Sequence, residues 1–137
     1  MKKYSYIYRQ QGAVRPVLVR DFKSKELDLC EGLYPPATVF EINHPKIKHL
    51  WLVWQMLRKI DLSACPCLTE IEVFGNTLLD NITLNITNPT ADMNNIISRT
   101  IDLPGGIMNV TKATTIRKNY AEFEDRIKSL GYRINVN

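Results

Sequence analysis

The sequence predicts a single α+β domain covering residues 1–137. Strand-like stretches, most of them alternating apolar and polar, fall at 4–9, 17–19, 38–42, 68–74, 82–86 and 132–136. Two further stretches, 47–57 and 116–130, carry apolar residues every three or four positions, which marks amphipathic helices. The two kinds of segment follow one another without strict βαβ alternation, which favours α+β over a doubly wound sheet.

Length and composition agree with one domain. The 137 residues are 45% hydrophobic, enough for a sizeable core and too apolar for a disordered chain. No apolar run approaches the 18 residues of a membrane-spanning helix, and the N-terminal residues lack the apolar core of a signal peptide. The expectation is a reduced, cytoplasmic protein with no membrane contact. Three cysteines are an odd and small number, which argues against a disulfide scaffold.

Element by element, residues 4–9 read as an aromatic strand and Gln10-Gln11-Gly12 as a turn. Val14, Val17, Leu18 and Val19 read as a second strand, confined to an edge by Pro16 or starting after it. Together they predict an N-terminal β-hairpin. Residues 21–36 read as a polar connection ending in Tyr34-Pro35-Pro36. After a strand at 38–42, Asn43 and Pro45 read as the start of a central helix carrying Ile47, Leu50, Trp54 and Leu57. Residues 68–74 and 82–86 then predict a middle hairpin turning near Gly75-Asn76, and 91–98 a short helix. Ile116, Tyr120, Phe123, Ile127 and Leu130 form one helical stripe, ended by Gly131, and 132–136 is a terminal strand.

Charge is unevenly spread. Lys2, Lys3, Arg9, Arg15, Arg20, Lys23 and Lys25 face only Asp21 among residues 1–25, a net of +6. Residues 61–111 carry −5 and residues 112–137 carry +3, within an overall +4. Basic ends around an acidic middle suit either mutual neutralisation in the fold or a polyanionic partner. Tyr4, Tyr6 and Tyr8 share one face of the first strand, with Arg9, Arg15 and Arg20 nearby. Exposed, these six residues make a binding surface in which rings stack on bases and cations meet phosphates. Packed, the rings are half of a hydrophobic contact.

Leu57, Ile60 and Leu62, echoed by Leu68, Ile71 and Val73 and followed by Asn76 and Leu78, make a pattern over residues 57–84 that resembles the leucine-rich repeat proteins. Ile60, Ile71 and Ile82 stand eleven apart, and Ile60-Asp61-Leu62 recurs as Ile101-Asp102-Leu103. The resemblance implies an alternative fold, a short leucine-rich-repeat-like solenoid, and a protein-binding role with no catalytic residues to carry over.

The search for chemistry is thin. Cys65-Pro66-Cys67 supplies two soft ligands, but Cys30, His44 and His49 have no metal-site spacing, so no metal and no cofactor are expected. Glu70 and Glu72 share a strand face, and inward Ile71 and Val73 send both carboxylates to water. No nucleophile elbow, phosphate loop or zinc-protease motif is present. Three Asn-x-Thr glycosylation sequons, at Asn81, Asn85 and Asn109, read as chance in an Asn- and Ile-rich chain. The leading expectation is therefore a non-catalytic binding, adaptor or regulatory protein acting on a protein partner. Nucleic-acid binding through the N-terminal hairpin is the alternative, and an enzyme with a dispersed site the third. A second copy of the chain remains open as a partner.

Overall fold

Two kinds of backbone pairing build the molecule. The computed structural model describes residues 4–20, 26–28 and 33–137, with the side chains of Arg20, Glu26 and Asp28 excepted. Lys2, Lys3, Lys23, Lys25, Cys30 and most of the 21–32 connection lie outside the described residues.

The first kind is antiparallel. β1 (Ser5–Gln10) pairs with β2 (Val17–Arg20) as the hairpin pattern predicts, Gly12 supplying the positive φ of the turn. Passing over β3 (Glu26–Asp28), the chain adds β4 (Ala37–Asn43) to the opposite edge of β1, giving the order β2-β1-β4.

The second kind is parallel. β5 (His49–Trp51), β6 (Lys59–Leu62), β7 (Glu70–Glu72) and β8 (Asn81–Leu84) alternate between two ladders, β3-β5-β7 on one side and β6-β8 on the other. β9 (Gly106–Val110) and β10 (Tyr132–Val136) continue the latter into a four-stranded parallel sheet. Ile60, Ile82, Met108 and Ile134 stand in register across it. The eleven-residue spacing thus has a structural meaning. Ile60 and Ile82 are neighbours in one ladder, and Ile71 sits between them in sequence but pairs with Leu50 in the other.

Three expectations are corrected here. Residues 45–60 hold no helix, although Ile47, Leu50 and Leu57 are buried as that reading required. Their N–H groups bond to distant neighbours: Leu52 donates to the Glu72 carbonyl, Trp54 to Phe74 and Met56 to Ala37. Residues 68–86 form no hairpin; β7 and β8 run in different parallel ladders. Ile101-Asp102-Leu103 does not repeat the role of Ile60-Asp61-Leu62, because Ile101 is exposed and Met108 takes the position beside Ile82.

Among the described residues, helix is confined to a 3₁₀ turn at Met93–Asn95, α1 (Lys112–Thr115) and α2 (Tyr120–Ser129). None of the described helices is long and apolar enough to cross a membrane. Phe123 and Ile127 of α2 are fully buried against the parallel strands. The antiparallel sheet flanks β6, and α2 with β10 flanks the far side. The whole is a mixed α+β domain and not a solenoid.

Candidate functional site

Strand alternation sets Tyr6 and Tyr8 on one face of β1 and Arg9 on the other. Tyr6 and Tyr8 point with Phe40 and Ile42 toward the core, and both rings pack against it. Their centroids are 6.2 Å apart, Tyr6 lies 5.7 Å from Phe40, and Tyr4 stacks on His44 at 4.4 Å. Burial, and then the neighbouring Tyr8, push the Tyr6 hydroxyl above its ordinary pKa. Arg9 projects from the opposite face of β1 and is exposed. Arg15 is exposed in the loop before β2, and the side chain of Arg20, at the end of β2, lies outside the described residues. The structure therefore brings the tyrosines together and keeps Arg9 away from them.

What the residue pattern did not reveal is the apolar rim beside them. Val14 is 92% exposed, Val17 43% and Leu18 44%. β1 takes one edge of β2, and among the described residues no strand takes the other. Alternate N–H and C=O groups of that edge point outward. A Val-Leu-Val run signals a strand but says nothing of its place in a sheet, so only the strand order shows that this one is peripheral.

A cleft of about 490 Å³ opens where β4 lies beside β6 without pairing to it. Val39, Phe40 and Glu41 line one wall, and Arg58, Lys59 and Asp61 the other. The charges are mixed, and Asp61 already accepts the Ser63 N–H at 2.9 Å.

The remaining candidates serve the fold. Glu72 is buried, contrary to the expectation that it faces water; it accepts from the Ser98 hydroxyl at 2.6 Å and the Arg99 N–H at 3.2 Å. Cys65 is in the core, where burial pushes its thiol up to about 11, so it offers little thiolate as ligand or nucleophile at neutral pH. Among the described residues no three His, Cys, Asp or Glu side chains are grouped to hold a metal. The Asn-x-Thr triplets converge on one face of the parallel sheet. Asn109 donates toward Asn81 and Thr83 at 3.5 and 3.4 Å, the Thr111 hydroxyl donates to Asn85 at 3.0 Å, and Asn135 donates to Asn109 at 3.3 Å. Their repetition follows from strand alternation. Compared with protein families, with curated proteins and with solved structures, the chain matches none.

Proposed function

We propose that this is a non-catalytic binding protein, an adaptor or regulator that acts through a protein partner docked on the N-terminal sheet. The observation that carries the reading is the outer edge of β2, which has no strand partner among the described residues and bears the exposed side chains of Val17 and Leu18, with exposed Val14 in the loop before it. Exposed apolar side chains next to unsatisfied backbone donors and acceptors are what a protein interface uses. Binding of nucleic acid needs rings and cations on one surface, and the separation of Tyr6 and Tyr8 from Arg9 does not favour it.

Two charge insertions test the reading. Leu18→Lys alters the proposed surface, while Ile116→Lys alters an exposed apolar side chain elsewhere in the chain, just before α2. With melting temperatures matched, Leu18→Lys is expected to reduce the partners captured from native lysate at least tenfold, and Ile116→Lys to leave them unchanged. Equal capture by both variants and the parent sinks the proposal.

A further inference from the structure

We infer that the cleft between β4 and β6, together with the polar face of the parallel sheet beside it, binds a neutral, extended oligosaccharide. The site is separate from the docking surface proposed above, and the strands that build it, β4, β6, β8, β9 and β10, lie wholly within the described residues. Three observations carry it. First, the sheet presents a solvent-facing polar grid. Ile60, Ile82, Met108 and Ile134 turn toward the core, so alternation sends the row Asp61, Thr83, Asn109 and Asn135 outward, in register across four strands and about 14 Å long by strand spacing. Asp61 and Asn135 are exposed, and Thr83 and Asn109 half-buried. Parallel sheets ordinarily have both faces covered, and asparagine is disfavoured in strands. An open parallel face set with Asn81, Asn109 and Asn135 departs from both rules, and such departures mark function.

Second, the grid has hydrogen-bonding capacity to spare. Asn109 reaches Asn81 and Thr83 only at 3.5 and 3.4 Å, and Asn135 reaches Asn109 at 3.3 Å. The Asn81 amide hydrogens, the Thr83 hydroxyl hydrogen and the Asn135 side-chain carbonyl find no partner among the described residues. Donors and acceptors set side by side in this way match neighbouring sugar hydroxyls, each of which both donates and accepts.

Third, charge selects a neutral ligand. The 490 Å³ cleft has the size of a small-molecule site and is lined by Glu41 and Asp61 against Arg58 and Lys59. Among the described residues these four make no ion pair with one another, so each is available for charge-assisted bonds to hydroxyls. Two carboxylates against two cations give no excess charge to hold a polyanion. Lys59 and Asp61 line the cleft and also begin the rows that cross the sheet, which makes cleft and face one surface. Straight rows on a flat face fit a ribbon-like, β-linked hexose chain and not a helical, α-linked one.

The probe is cellohexaose, titrated against the full chain by calorimetry and by NMR of backbone and side-chain amides. Controls are maltohexaose, which has the α linkage, and the cellohexaose counterpart with every hydroxymethyl oxidised to a carboxylate. Expected are at least tenfold tighter binding of cellohexaose than of either control, and shifts at the side-chain amides of Asn81, Asn109 and Asn135. Lys59 and Asn135 are exposed, so Lys59→Ala and Asn135→Ala are expected to melt as the parent does and to bind cellohexaose at least fivefold more weakly. No binding at millimolar saccharide, equal affinity for cellohexaose and maltohexaose, or preference for the carboxylated chain overturns the inference. So do shifts confined to the exposed Trp51 and Trp54, or parental affinity in both variants.

Discussion

Single polar side chains in this protein do the work of several backbone bonds. Asn76 is fully buried; its amide donates to the Leu52 and Val73 carbonyls at 2.7 and 2.8 Å, and its oxygen accepts the Leu57 N–H at 3.2 Å. It joins the strand region after β5 to the turn after β7. Replacing it by alanine leaves three buried backbone groups unpaired, so Asn76→Ala is expected to cost at least about 3 kcal/mol in chemical denaturation. Tyr132 acts similarly, its hydroxyl donating to the Leu79 carbonyl at 2.6 Å. Burial pushes that hydroxyl from 10.0 up to about 12. A raised pKa means that the folded state holds the proton more tightly. The contribution is therefore complete below pH 10 and is lost as pH rises toward 12. Urea melts between pH 9 and 12 are expected to show a shallower alkaline loss for Tyr132→Phe than for the parent, with about 1–3 kcal/mol lost at neutral pH. Identical alkaline slopes would mean that this hydroxyl does not govern the limb.

At the scale of elements, periodicity was a sound guide only where the chain bonds to itself locally. α2 carries Phe123 and Ile127 inward as its stripe predicts, and Lys128 meets Glu124 one turn away at 2.8 Å. Ile116 belongs to the same stripe on paper but precedes the helix and is exposed. Phe123→Ala is accordingly expected to cost about 3–5 kcal/mol, and Ile116→Ala to stay within about 0.5 kcal/mol, by thermal or urea unfolding. Equal losses at the two positions would restore the longer helix. Asp92 joins the 3₁₀ turn to α2: it accepts the Asn94 N–H and the Asn119 side-chain amide, both at 2.9 Å, with Lys118 nearby. These contacts, the Asn94 bond foremost, lower its pKa from 3.8. A depressed carboxylate stabilises the fold above its unfolded pKa, and that contribution is lost as pH falls through the folded value. Melting curves at pH 2–6 are expected to show a weaker acid dependence for Asp92→Asn. An unchanged acid limb would remove Asp92 from the account.

For the whole molecule, the parallel ladders bind distant parts of the chain into one unit. β9 sits between β8 and β10, so residues 81–136 contribute three neighbouring strands of one sheet. Gly106 at the start of β9 lies against the Asp80 backbone, where any Cβ would strike the carbonyl, and its φ is +147°. A chain ended at residue 113 lacks β10 and α2, exposing the β9 edge and the surface under Phe123 and Ile127. It is expected to lose cooperative unfolding, whereas the full chain should melt in one transition by circular dichroism and fluorescence alike. A sharp melt of the shortened chain would show that the remaining strands suffice.

The sequence by itself determined the fold class, the N-terminal hairpin, α2, the terminal strand and most of the core positions. Each of these rests on short-range information: a Gly turn between two apolar stretches, a stripe closed by Gly131, a residue's own transfer free energy. The tertiary structure decided the rest. Ile47, Leu50, Trp54 and Leu57 satisfy helical spacing, but the backbone groups of Leu50, Trp54 and Leu57 find better partners some twenty residues away, and such partners leave no local signature. The same cause sent β7 and β8 into different ladders, buried Glu72 and lined up Asn81, Thr83, Asn85 and Asn109 on one face. Whether Tyr6 faces water or Phe40, and whether Leu18 lies inside a sheet or at its rim, depends on the order of strands. That order is set by which edges of the sheet remain unpaired once every other segment has been placed, a property of the assembled chain and not of any stretch within it.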